Sequence, residues 1–195
     1  MSTHVTTAGS AIENPLSGER IVIRETAAQT GGRLLAWELS LAPGGRVPSA
    51  HAHPSQEERF MVLEGSMRFR VAGRRVAVGP GETVTVPPDT AHHFANAGQG
   101  TARLAVETRP ALAMEGMLRT AAALAQEQHA TGRRLPSLVD LALFMNEFER
   151  EVRAPYLPRR LVRLVMRTIA SLARLGGFDA RYRRLRDRGG PSATT

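Results

Sequence analysis

Between Arg20 and Arg109 apolar and polar positions alternate in short runs cut by glycine and proline. Residues i and i+2 of a strand share a face, so this alternation predicts strands at Ile21 to Thr26, Arg33 to Leu41, Arg59 to Leu63, Met67 to Val71, Arg75 to Val78, Thr83 to Val86, His92 to Asn96 and Ala102 to Thr108. Each strand gains an inner face: Leu35, Trp37, Leu39 and Leu41; Phe60 and Val62; Met67, Phe69 and Val71; Leu104 and Val106. Arg68 and Arg70 fall on the outer face. About eight short strands suit a barrel.

After Pro110 the apolar spacing lengthens toward 3.6 and glycine becomes scarce. Three helices are predicted: Met114 to His129; Ser137 to Arg153, with Ser137 as N-cap; and Pro158 to Leu175, stopped by Gly176-Gly177. Leu138, Leu141, Met145, Phe148 and Val152 form a stripe on the second, and Leu161, Val165, Ile169 and Leu172 on the third. Such stripes predict core or dimer contacts. The chain thus divides into a flexible arm over 1–19, a barrel over 20–109 and a helical extension with a basic tail over 110–195. His4, in the arm, is read as solvated.

The candidate chemistry lies between Gly45 and Gly65, GRVPSAHAHPSQEERFMVLEG. On one strand His51 and His53 would stand about 7 Å apart on the same face, where one ion can take both. Pro54 lacks an N–H, so the strand turns there before returning through Glu58 to Leu63. Glu57 and Glu58 compete for the next ligand position, and alternation decides between them. Glu58 is in phase with Phe60 and Val62, whereas Glu57 is in phase with Arg59 and is read as a solvated charge. A second stretch, Gly81 to Asn96, reads as turn, β-branched strand, turn and a strand opening with His92, the fourth ligand candidate. His93 alternates to the opposite face.

These two stretches resemble the paired motifs of the cupin superfamily, on Gly45, His51, His53, Glu58 and Gly65 in the first and Gly81, Pro87, His92 and Asn96 in the second. Asp89 stands where the family has glycine, and Asp tolerates a left-handed turn better than most residues. The resemblance covers roughly residues 20 to 109. It implies a mainly β fold, an antiparallel β-barrel of the cupin or jelly-roll type followed by the α-helical extension, with a metal inside. Dimerisation is expected from the family and from the helix stripes.

The chain has no cysteine, and all 26 of its basic residues are arginine. Disulfides, thiolate ligands and nucleophiles, lysine Schiff bases and a Walker-type phosphate loop are therefore excluded. Three imidazoles and a carboxylate are borderline donors that suit one divalent transition ion, Fe, Mn, Ni, Co, Cu or Zn, better than Ca²⁺ or Mg²⁺. Around them Trp37, Phe60, Val62, Met67, Phe69 and Phe94 predict an apolar substrate pocket, and no other inward acid or base is evident. The metal would carry the reaction.

Charge is uneven: 11 arginines against 10 carboxylates in residues 1–109, and 15 against 8 in residues 110–195. Arg160, Arg163, Arg167 and Arg174 share a face of the third helix. With no recognised nucleic-acid motif beside them they are read as a solvated face, partly paired with Asp140, Glu147 and Glu151, and not as a nucleic-acid or membrane contact. The N-terminus lacks the pattern of a secretory signal, which gives a cytoplasmic expectation. The functional expectation is a metal-dependent cupin enzyme, oxygenase (dioxygenase included), isomerase or cyclase in type, on a small, largely apolar molecule. The competing expectation is a non-catalytic small-molecule sensor whose helices contact a partner.

Overall fold

Leu35, Trp37, Leu39 and Leu41 all lie on the buried face of one strand, β3 (Leu35–Leu41), and the same alternation shapes its neighbours. The computed structural model describes residues 11–47, 49–133 and 135–189. The strands around β3 are β1 (Ile12–Asn14), β2 (Glu19–Glu25), β4 (Glu57–Glu64), β5 (Met67–Val71), β6 (Arg74–Val78), β7 (Thr83–Val86), β8 (His92–Asn96) and β9 (Ala102–Arg109). One antiparallel sheet runs β1-β2-β3-β9-β4-β7 and the other β6-β5-β8. Bridges Arg46↔Ala95 and His51↔His92 set the segment between β3 and β4 beside β8. The inner faces share one core in which Leu35, Leu41, Met67, Leu104 and Val106 are buried. This is an antiparallel barrel of the jelly-roll type, with helices after it.

Two motif glycines serve the packing. A Cβ at Gly45 would lie 2.8 Å from the Ala42 carbonyl oxygen and 2.9 Å from Leu41 Cδ1. Gly65 holds a φ of +80° with the Ala102 backbone 3.0 Å from where a Cβ would be. Asn96 is buried and ties turns together: its amide donates to the Leu41 and Gly100 carbonyls at 2.9 and 2.8 Å, and its Oδ1 accepts from the Gly98 N–H at 2.8 Å.

Residues 12–14, which the sequence reading places in the arm, form a strand. It is an edge strand on β2 with Ile12 buried, a segment too short and too polar to signal itself by alternation. His4 lies outside the described residues.

Four helices follow: α1 (Met114–Ala130), α2 (Leu138–Glu147), α3 (Arg159–Leu175) and α4 (Ala180–Gly189). Ser137 caps α2 as expected, accepting the Asp140 N–H at 3.0 Å. However, α2 ends at Glu147 instead of reaching Arg153, because residues 151–153 leave the helix to pair with the barrel at Ala52. Its buried face is Ala142 and Leu143, while Leu138 is exposed. The sequence missed α4. Five arginines mask it, yet Tyr182 and Leu185 are buried against Leu124, Leu143 and Ala170 in a second, smaller core. Among the described residues no helix is long and apolar enough to cross a membrane.

Candidate metal centre

Each histidine of the candidate set is held by its far ring nitrogen. His51 Nδ1 meets the Ser49 carbonyl at 3.3 Å, His53 Nδ1 the Glu151 carbonyl at 2.5 Å, and His92 Nδ1 the Thr90 carbonyl at 3.0 Å. A carbonyl oxygen only accepts, so each Nδ1 carries the proton and each Nε2 presents a lone pair. The rings lie close together, with centroid separations of 5.0 Å (His51–His53), 4.3 Å (His51–His92) and 5.2 Å (His53–His92).

Glu58 completes the group. It is the second residue of β4, between Val86 of β7 and Thr108 of β9, where alternation turns it inward and leaves Glu57 exposed. One carboxylate oxygen, Oε2, is 3.1 Å from both His53 Nε2 and His92 Nε2, and Thr108 donates to the other at 3.4 Å. The ligand atoms of His51, His53, Glu58 and His92 all lie within 4.8 Å of one another.

The donor chemistry fits a divalent transition ion. Lone pairs from two imidazoles aimed at a carboxylate oxygen repel it unless a cation lies among them. His53 Nε2 shows this most directly: it is buried and, among the described residues, has no hydrogen-bond partner, since its approach to Glu58 is not aligned as a bond. Without metal the same arrangement favours a proton on His53. Desolvation pulls the His53 pKa down, but the Glu58 charge and the Glu151 carbonyl together outweigh it and raise the value above 6.5. Desolvation pushes Glu58 up, and the two imidazoles outweigh it, holding the carboxyl well below its usual range. His51 is pushed down to about 3 by desolvation and then by His92 and His53, so it stays neutral and ready to ligate although its ring keeps an exposed edge.

His51 and His53 do not lie on a continuous strand as the sequence suggested. His51 exchanges backbone hydrogen bonds with His92 (3.1 and 2.9 Å), and Ala52 between them exchanges another pair with Arg153 (3.2 and 2.9 Å). The segment is gripped on both edges, on one by β8 and on the other by the helical region.

Four residues of this surround were not singled out as supports in the sequence: Glu151, Arg153, Asp89 and Thr108. Glu151 is buried; its carbonyl orients His53 and its Oε1 accepts the Ala113 N–H at 3.1 Å ahead of α1. Sequence reading had paired it with arginines. Asp89 adopts φ +60°, so the turn tolerates it in place of glycine. Its carboxylate takes the Arg153 guanidinium at 2.5 Å and its N–H donates to the His53 carbonyl at 2.7 Å. The one departure from the family motif is therefore one of the points where the helical region is fastened to the site. Asp89 itself was the available signal, a carboxylate where glycine suffices.

The apolar candidates Trp37, Phe60, Val62, Met67, Phe69 and Phe94 are all buried. Phe60, Phe69 and Phe94 are in mutual contact at 5.2 to 5.4 Å between ring centroids. Phe60 joins the trio to the His92 ring at 6.4 Å. His93 is half-buried on the opposite face, and burial and Arg70 lower its pKa.

Residues 37–107 match the family model described as the cupin domain. Among solved structures, a Thermotoga maritima protein described as a predicted oxalate decarboxylase aligns with a TM-score of 0.50 and 18% identity, over 56% of this chain and 99% of that one. The polyketide cyclase RemF from Streptomyces resistomycificus aligns at TM-score 0.47 and 28% identity, over 56% and 80%. The cupin domain of Schizosaccharomyces pombe Cnp3 aligns at 0.46 and 12%, over 64% and 75%. No curated protein sequence matches the chain. The chain thus carries a cupin domain over residues 37–107, followed by a helical C-terminal region.

Proposed function

We propose that this protein is a metal-dependent enzyme, of the oxygenase, isomerase or cyclase type, acting on a small and largely apolar molecule. The observation that carries this reading is the convergence of three imidazole nitrogens and one carboxylate oxygen within 4.8 Å. A divalent transition ion bound there supplies Lewis acidity toward a carbonyl or a redox centre for O₂. The chain's own part is to orient and to exclude water. Backbone carbonyls fix the three imidazoles, and the Phe60, Phe69 and Phe94 rings close the side beneath His92 to solvent. Of the four ligand candidates only His51 is not fully buried, so a substrate's polar atom approaches from its side.

One observation favours the sensor reading as an alternative. Glu151 and Arg153 join the helical region directly to the histidine-bearing segment, a physical link between the site and the helices. The test is to load the protein with metal and incubate it with a panel of small aromatic and carbonyl compounds, following each by mass spectrometry. The enzyme reading expects a compound to be consumed, and His51→Ala to abolish its consumption. Binding without consumption, with altered hydrogen-exchange protection in α2 and α3, would establish the sensor instead.

A further inference from the structure

Helix α3 carries an apolar strip that the fold leaves uncovered. Leu161, Leu164, Val165, Leu172 and Leu175 lie three, four or seven residues apart on one face, and Leu161, Leu164, Leu172 and Leu175 are 57, 65, 62 and 85% exposed. The helix packs on α2 through the other side, where Ala170 and Ala173 are buried. Leu157 and Tyr156 before the helix and Phe178 after it are exposed as well. These leucines change the sequence reading of a merely solvated basic face.

Charge decides what fits. Between Glu151 and Asp179 the chain holds six arginines and no carboxylate. The neighbouring Glu149 is already shared by Arg163 and Arg167, at 3.4 and 2.8 Å, while Arg159, Arg160 and Arg174 have no ion pair among the described residues. A second copy of this chain would oppose one arginine flank with another and bring no carboxylate on its own strip. A nucleic acid would answer the arginines and leave the leucines in water. An anionic lipid surface answers both: acyl chains take the leucines, headgroup phosphates take arginines that reach outward along the flank, and Tyr156 and Phe178 sit at the level of the interface.

We infer that α3 docks this protein on anionic membrane surfaces, lying in the plane of the interface without crossing it. The site would then act on, or sense, molecules delivered at that surface. The inference does not depend on the metal centre, and its test does not use activity.

Full-length protein is co-sedimented with vesicles of phosphatidylcholine alone and of phosphatidylcholine with roughly one-third phosphatidylglycerol. Binding is expected to the second and to weaken as salt rises. Arg160→Ser with Arg174→Ser removes two arginines that have no carboxylate partner, Arg174 meeting only the Asn146 amide oxygen, and should weaken binding roughly thirtyfold, from about fivefold per charge at the surface. Leu164→Glu with Leu172→Glu should reduce it to the level seen with neutral vesicles. All these positions are exposed, so unchanged circular dichroism and metal content establish that the variants fold. No binding to anionic vesicles overturns the inference. So does a wild-type dimer, without vesicle binding, that the leucine pair converts to monomer, which would assign the strip to a second copy. Salt-dependent binding to nucleic acid that the leucine pair leaves intact, with no vesicle binding, overturns it too.

Discussion

Residues 151–153 and α3 stand a few positions apart in the same helical region, yet the first faces the barrel and the second faces away. In the first, three polar groups reach partners in the cupin domain: the Glu151 carbonyl on His53, the Arg153 backbone on Ala52 and the Arg153 guanidinium on Asp89. In the second, four leucines are left toward solvent, with Arg159 and Arg160 exposed and without an ion pair among the described residues. Apolar periodicity alone does not distinguish a helix that completes a fold from one that presents a surface. The partners of the charged residues do.

The largest expected effect is on the centre itself. Glu58→Gln leaves a neutral amide among three imidazoles and should lower metal affinity beyond the roughly 100-fold ceiling of supporting contacts, measured by competition with a chelator. Retention of wild-type affinity would remove Glu58 from the ligand set. Phe60→Ala should cost about 3–5 kcal/mol in chemical denaturation, because Phe60 is 2% exposed and joins both other rings of the trio.

The clasp between the regions comes next. Asp89→Gly restores the family residue and suits φ +60°, so the turn keeps its shape while Arg153 loses its carboxylate. Metal affinity should fall about 10- to 100-fold with little loss of stability, and Arg153→Ala should do the same. Unchanged affinity in both would make the clasp a fastening without influence on the site.

A pH experiment sharpens the comparison from the side of the barrel. In stripped protein the raised His53 pKa contributes stability that is full below 6.5 and is lost as pH rises through the raised value. The metal must displace that proton, so the metal-induced rise in Tm should grow between about pH 5 and 8. A shift independent of pH would show that His53 does not ligate. The smallest effect on the centre belongs to Leu164→Glu with Leu172→Glu, which should leave metal affinity and pH dependence unchanged.

The ligand set was readable because strand period is two: the phase that buries Phe60 and Val62 also buries Glu58, and the phase that buries Phe94 also buries His92. Asp89 was readable as a left-handed turn residue. The clasp was not, since Glu151 and Arg153 continue the helical spacing of α2 and only their distant partners break it. The exposed strip of α3 was legible as a stripe but not as a surface, because a sequence shows which positions are apolar and not whether α2 covers them. In α4 five arginines concealed Tyr182 and Leu185.

The central claim is that three Nε2 atoms and one carboxylate oxygen hold a metal. Its most direct test is elemental analysis of the protein purified without added metal, with X-ray absorption at the edge of whatever ion is found. About one divalent transition ion per chain, bound to nitrogen and oxygen donors and lost in His53→Ala, is the predicted result. Protein that carries no such ion and takes none up at micromolar concentration, or whose His53→Ala variant retains it, would contradict the account.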